Sequence, residues 1–181
     1  AVAKRHRQRA ADFTRELIAI PSPSRSEDAM AAAVRREMLK LGYHQAEVDR
    51  FGNVVGRIGE GRTRIIFDAH MDTAGLGDRS SWRFDPFVGE VKAGKIYGHG
   101  AANNKGGLAA IVYAGAIIRE LDLSSDCSVY IVGSVQYSFV AADVDTAGEY
   151  EGYWLVTEGG LVSTFPANDH EREVLIEIEA M

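Results

Sequence analysis

The chain has 181 residues, of which 46% are hydrophobic and 25% are charged, and its net charge is -6. This length and composition can bury a core as one domain, so we predict a single domain over residues 1–181. The acidic balance argues against nucleic acid or an anionic membrane as a partner. One cysteine, Cys127, allows no internal disulfide, and neither a membrane span nor a secretory signal is visible, so we predict a cytoplasmic protein.

The first forty residues predict two helices. Residues 1–20 place Phe13, Leu17 and Ile20 at helical spacing behind a basic front. Two prolines follow and end this helix. Residues 24–27 then have the pattern of a capping box that opens a second helix. The predicted buried stripe of the second helix is Met30, Val34, Met38 and Leu41, with Gly42 at its end.

The rest of the chain alternates between strand and helix patterns. Strands are predicted at residues 46–50, 53–58, 64–67, 128–135, 153–157, 161–165 and 173–180, with a small hairpin at 88–97 and a helix at 108–121. Such alternation predicts an α/β layered sheet. Functional groups of these sheets collect where the strands end.

A histidine and an aspartate follow the strand at 64–67, which its apolar residues predict to be buried. In extended backbone, residues i and i+2 point to the same side, so His70 and Asp72 can converge at the strand end. A neutral imidazole is a good zinc ligand, and a neighbouring carboxylate can orient it. On this motif alone, the alternative is a strand end with one polar cap.

Other polar residues are predicted to reach the same edge of the sheet. Asn103 lies in the glycine-rich stretch 98–107, which opens a helix but lacks the spacing of a phosphate-binding loop. Tyr137, Ser138 and Glu158 each follow a predicted strand. His99 could replace a ligand, although a surface or supporting role is the simpler interpretation. Together these positions form a candidate site.

Several segments of the chain match one enzyme family. The chain resembles the catalytic domain of the dinuclear-zinc superfamily of aminoacylase, acetylornithine deacetylase, succinyl-diaminopimelate desuccinylase and carboxypeptidase G, and within it most the branch called selenium-metabolism-linked hydrolases. The resemblance implies a three-layer α/β sandwich with a mixed, mostly parallel sheet flanked by helices. The matching segments are Leu17-Ile18-Ala19-Ile20-Pro21-Ser22, Phe51-Gly52-Asn53-Val54, Asp68-Ala69-His70-Met71-Asp72-Thr73, Trp82 to Pro86, Gly98 to Gly107, Val135-Gln136 and Thr157-Glu158.

The resemblance also implies a role for each position of the site. His70 matches a ligand of the first zinc, Asp72 matches the catalytic aspartate that orients it, and Glu158 matches the other carboxylate ligand. Three positions depart from the family. Asn103 stands where an aspartate bridges the two metals, Tyr137 where a glutamate is the general base, and Ser138 where a glutamate binds the second zinc.

These departures lead to two expectations about function. The first is a degenerate, catalytically inactive domain that is retained for binding or assembly. The alternative is a residual hydrolase of a peptide or N-acyl amino acid that uses one weakened zinc site, with His70, Glu158 and weakly Asn103 as ligands. The sequence ends about where the family's lid domain begins, so we expect the lid and the returning half of the domain to be absent. A protein partner or a second copy is then expected to cover the open sheet edge.

Overall fold

The computed structural model describes residues 2–124 and 126–135 in full, together with the backbone of four later strands. The chain forms two compact units, Ala1–Tyr137 and Ser138–Met181, which are described separately. The prediction of one domain over residues 1–181 stays a prediction. The first unit contains helices α1 (Val2–Ala19), α2 (Asp28–Lys40) and α3 (Gly106–Glu120) and strands β1 (Gln45–Val48), β2 (Val54–Ile58), β3 (Thr63–His70), β4 (Glu90–Lys92), β5 (Lys95–Tyr97) and β6 (Cys127–Ser134).

A four-stranded mixed sheet forms the centre of the first unit, in the order β1-β2-β6-β3. β1 and β2 form a hairpin because the Asp49 carboxylate accepts hydrogen bonds from the backbone of Phe51 and Asn53 and so closes the turn. β2 pairs antiparallel with β6. β3 and β6 are parallel, and α3 lies in the connection between them. The α/β class and the mixed sheet with flanking helices are confirmed.

Two features of the sheet differ from expectation. One of its three strand pairings is parallel, so these four strands are not mostly parallel; a short hairpin makes β1 and β2 antiparallel by necessity. β3 is an edge strand of this sheet rather than a buried one. Its Ile65 and Phe67 side chains are 41% and 40% exposed.

The helices cover the sheet with a continuous core. α2 packs on β1 and β2, α3 packs on β3 and β6, and α1 packs on α3. The predicted stripe of α2 is confirmed, because Met30, Val34, Met38 and Leu41 are all buried. Gly42 follows the helix at φ 79°, in the left-handed conformation that ends helices.

The predicted capping box is wrong. α2 begins at Asp28, and the residue that precedes it, Glu27, makes no side-chain capping bond. Ser24 lies outside the helix, and its hydroxyl bonds to Asp72 instead. The sequence pattern of a capping box needs the serine at the helix boundary, and here three further residues separate it from the first turn.

The second unit is described through strands β7 (Gly148–Glu151), β8 (Trp154–Glu158), β9 (Leu161–Phe165) and β10 (Leu175–Ile178). β7 pairs with β10 and β8 pairs with β9, both antiparallel. The last three strands agree with the predicted strands at 153–157, 161–165 and 173–180. Among the helices of the described chain, none combines the length and the apolar character that crossing a membrane requires.

Candidate metal centre

The directions of the side chains at the strand end near His70 are fixed by their alternation along the extended backbone. Met71 is fully buried and approaches Gly133, where an added Cβ would lie 3.1 Å from the Met71 sulfur. With Met71 in the core, the residues on either side of it must point away from the core. The Met71 amide donates to the Ser134 carbonyl at 2.8 Å, which continues the β3–β6 pairing past His70.

His70 and Asp72 meet, as the sequence predicted. His70 Nδ1 lies 2.8 Å from Asp72 Oδ1 and 3.1 Å from the Asp72 carbonyl oxygen. The Asp72 side chain is 5% exposed and that of His70 is 33% exposed. A buried carboxylate therefore holds the Nδ1 side of the ring and leaves Nε2 facing outward.

Asn103 faces the other nitrogen of that ring. Its Oδ1 atom lies 2.9 Å from His70 Nε2. Asn103 and Asn104 leave helical torsions, with φ values of -134° and -137°, so Ala101–Lys105 is an irregular turn ahead of α3. That departure brings the amide of Asn103 towards the strand end, and the predicted meeting of these two residues is confirmed.

The contacts of His70 change its acidity. Burial lowers the pKa of His70, but the hydrogen bonds to Asn103 and Asp72 and the charge of Asp72 outweigh burial and raise the pKa overall. An amide oxygen and a carboxylate oxygen can only accept hydrogen bonds, so both ring nitrogens donate when the ring is charged. The described arrangement suits an imidazolium held between two acceptors.

Lys105 is a buried residue of the site that no sequence pattern indicated. Its side chain is 1% exposed, and its ammonium donates to the Ile20 carbonyl oxygen at 2.7 Å. Burial lowers the pKa of Lys105 to about 8. A lysine among glycines before an apolar helix gives no sequence signal of burial, because lysine is almost never fully buried.

His99 belongs to an aromatic cluster. Its ring makes edge-to-face contacts with Trp82 and Phe87, at centroid distances of 5.7 and 5.9 Å, and Trp82 also contacts Phe84. Burial, followed by the charge of Lys105, lowers the pKa of His99. These contacts support the simpler prediction, a supporting role for His99 in packing the loop at 82–87.

The remaining predicted positions cannot be placed in the same way. Tyr137 and Ser138 lie outside the described residues. Glu158 is the last residue of β8, and its side chain is likewise outside what is described. Within residues 2–124 and 126–135, no three His, Cys, Asp or Glu side chains come together as a metal site. Of the side chains assigned to the metals by the resemblance, the structure describes one imidazole and one neutral amide, and these two alone do not make up a dinuclear zinc centre.

Comparison with known sequences identifies this segment. Residues 66–136 match the model of Peptidase family M20/M25/M40. The chain is 40% identical over 124 residues to the uncharacterized protein YgeY of Escherichia coli K12, which covers 68% of this chain and 31% of that protein. It is 34% identical over 113 residues to a succinyl-diaminopimelate desuccinylase of Beijerinckia indica, covering 58% of this chain and 29% of the enzyme. The chain thus spans about a third of the length of these relatives.

Solved structures agree on the fold. An M20 family metallo-carboxypeptidase from Sulfolobus solfataricus superposes with a TM-score of 0.62 at 22% identity, covering 69% of this chain and 30% of that one. Human carnosine dipeptidase 1 gives a TM-score of 0.61 at 22% identity, covering 72% of this chain and 32% of that one. Together with the sequence matches to the family model and to the desuccinylase relative, this places the chain in the dinuclear-zinc peptidase and deacylase superfamily.

Proposed function

We propose that this chain is a degenerate member of the superfamily whose fold serves binding or assembly rather than hydrolysis. The observation that carries the proposal is the 2.9 Å contact between His70 Nε2 and the neutral amide of Asn103. Nε2 is the nitrogen that a metal would need, because Asp72 occupies the other side of the ring.

Charge explains why an amide at this position matters. Two zinc ions about 3.5 Å apart repel each other by roughly 20 kcal/mol at an effective dielectric constant of about 20. A bridging carboxylate offsets part of this repulsion with a full negative charge. The amide of Asn103 offers only a dipole. A second metal beside the first is therefore strongly disfavoured.

A metal at His70 would also meet competition from a proton. A metal binds the neutral imidazole, so it must displace the proton from Nε2. The raised pKa of His70 means that this proton is held more tightly than by an ordinary histidine. A metal at His70 would therefore have to compete with this proton near neutral pH.

One observation favours the alternative, a residual hydrolase with a single zinc. The His70–Asp72 pair keeps the geometry of an oriented metal ligand, and Asp72 remains buried. The resemblance of the sequence assigns the carboxylate ligand of that zinc to Glu158. A peptide or an N-acyl amino acid is then the substrate class that the desuccinylase relatives suggest. Tyr137 would be a poor general base, since the ordinary pKa of tyrosine is about 10.

The partner and the location stay predictions. β3 is the edge strand of the first unit's sheet, and its half-exposed Ile65 and Phe67 are compatible with the predicted protein partner or second copy. The predicted cytoplasmic location and the selenium-metabolism-linked branch have no further support from the described residues.

Zinc titration calorimetry at neutral pH, combined with a hydrolysis assay on N-acyl amino acids, tests the proposal. The wild type should bind zinc weakly and show no turnover. Asn103→Asp should raise the affinity for one zinc by about tenfold or more, because a carboxylate replaces the amide beside Nε2. Asn104→Asp adds the same charge one residue away and should leave the affinity nearly unchanged.

The residual-hydrolase alternative predicts the opposite result. Tight, stoichiometric zinc in the wild type, with turnover that His70→Ala abolishes, would establish the residual hydrolase and overturn the proposal.

A further inference from the structure

The linker between α1 and α2 touches both halves of the site without carrying any predicted ligand. At its start, the Ile20 carbonyl accepts a hydrogen bond from the Lys105 ammonium at 2.7 Å. Lys105 closes the turn that presents Asn103, since its amide donates to the Gly100 carbonyl at 3.0 Å. The first attachment of the linker is therefore to the turn of Asn103.

The middle of the linker is attached to the strand end that carries His70. The Ser22 carbonyl accepts a hydrogen bond from the Thr73 amide at 2.8 Å, and Pro23 and Thr73 form a parallel β-bridge. Ser22 is fully buried. The prolines on either side of Ser22 keep this segment extended, so it lies against Thr73 as a short additional strand.

The end of the linker reaches the carboxylate beside His70. Ser24 Oγ donates to Asp72 Oδ2 at 2.5 Å, while Asp72 Oδ1 faces His70 Nδ1 at 2.8 Å. The two oxygens of one carboxylate thus take two different donors. Rotation of the carboxylate about its χ2 angle would break both hydrogen bonds together, so Ser24 opposes any rotation that would release the ring.

We propose that Ser24 is a positioning residue: through Asp72 it sets the orientation of the His70 ring, and the linker at residues 20–24 ties that ring to the turn of Asn103. The Ser24 hydroxyl has no role at a helix start, because α2 begins four residues later. It also makes no contact with His70 itself among the hydrogen bonds of the described residues. The inference holds whether or not the site binds zinc.

Imidazole NMR on metal-free protein tests this inference. Uniformly ¹⁵N-labelled histidine gives signals for five side chains, and the signal missing in His70→Gln identifies His70. In Ser24→Ala at one fixed pH, the Hδ1 proton of His70 should exchange with water about fivefold faster or more, because Asp72 loses the hydrogen bond from Ser24 that opposes its rotation. Its Nδ1 shift should move in the direction expected for a weaker hydrogen bond.

Two further variants separate positioning from a general structural effect. Ser24→Thr keeps the hydroxyl and should restore the wild-type Hδ1 exchange rate. Ser26→Ala removes an exposed hydroxyl from the same linker end, one that makes no hydrogen bond among the described residues, and should change nothing. If Ser24→Ala impairs folding, Ser24→Cys replaces the hydroxyl with a weaker donor of similar size and should give an intermediate exchange rate.

The inference is overturned if Ser24→Ala, or Ser24→Cys where the first variant does not fold, leaves the His70 signals as they are in Ser26→Ala. It is also overturned if Ser24→Thr fails to restore them, because the effect would then come from the linker backbone rather than from the hydroxyl.

Discussion

The His70 turn (residues 70–73) and the Asn103 turn (residues 98–105) meet at one site, yet they present different chemistry. The first offers an imidazole backed by a buried carboxylate. The second offers a neutral amide, and its one buried charge is the Lys105 ammonium, which points away to the Ile20 carbonyl. The carboxylate and the amide lie on opposite sides of the same ring.

Both turns are nevertheless held by specific contacts. Gly100 packs so closely on the His70 turn that an added Cβ would lie 2.5 Å from Thr73 Cγ2. The linker at residues 20–24 bonds to both turns. Both turns are held closely, but only the His70 turn presents a carboxylate to the ring, so backbone packing and side-chain charge are separate requirements of the site.

Among the variants that test how the two turns are held, Gly100→Ala should have the largest effect on stability. Gly100 has φ 74°, which costs an L residue about 1–2 kcal/mol, and the new methyl group would also collide with Thr73. We expect a loss of roughly 2–4 kcal/mol in the free energy of unfolding, measured by urea denaturation.

Gly94→Ala is the matched control for this loss. Gly94 has the same φ of 74° in the β4–β5 turn, but nothing lies within 4 Å of an added Cβ. It should lose only the conformational cost of about 1–2 kcal/mol. Equal losses in the two variants would show that the two turns do not depend on close packing at Gly100.

The meeting of the two turns was predictable in part. His70 and Asp72 converge because side chains alternate in extended backbone, and this rule needs only local sequence. The contact with Asn103 follows from the parallel pairing that brings loops to one edge of the sheet. The stripe of α2 and the strands at 53–58 and 128–135 were likewise set by local periodicity.

The supporting contacts were not predictable, because each joins residues that are far apart in the chain. Ser24 and Asp72 are 48 positions apart, and Ile20 and Lys105 are 85 positions apart. Locally, Ser24 fits a helix start as well as it fits a loop. The edge position of β3 was also hidden, because an apolar strand has the same pattern in the centre and at the rim of a sheet.

The buried charge of the Asn103 turn, on Lys105, should make the free energy of unfolding depend on pH. The folded-state pKa of Lys105 is about 8, below the ordinary value for lysine of 10.5. Burial therefore costs the charged form stability below pH 8, and this cost disappears as pH rises towards 10.5, where the unfolded state also loses the proton. Between pH 7.5 and 9.5, the free energy of unfolding should rise by about 2 kcal/mol because of Lys105.

Urea denaturation of Lys105→Met across this pH range checks the assignment. The variant should lose the rise, since it has no ammonium to bury. Lys95→Met, at an exposed position of β5, should keep it. A rise that survives in Lys105→Met would have to come from another group, and Lys105 would then not carry a cost of burial.

The smallest expected effect is on the pKa of His70 and comes from the side-chain amide of Asn103. The raised pKa of His70 stabilises the folded state fully below the ordinary histidine value of about 6.5, and this contribution is lost as pH rises through the folded-state pKa. Asn103→Ala removes one of the acceptors that favour the charged ring. The pKa of His70, followed by NMR titration of its ring, should therefore fall relative to the wild type.

Asn104→Ala, the neighbouring change in the same turn, should leave the pKa of His70 unchanged. If Asn103→Ala leaves the pKa unchanged, the proton on His70 is held by Asp72 alone, and the two turns are not coupled through the ring.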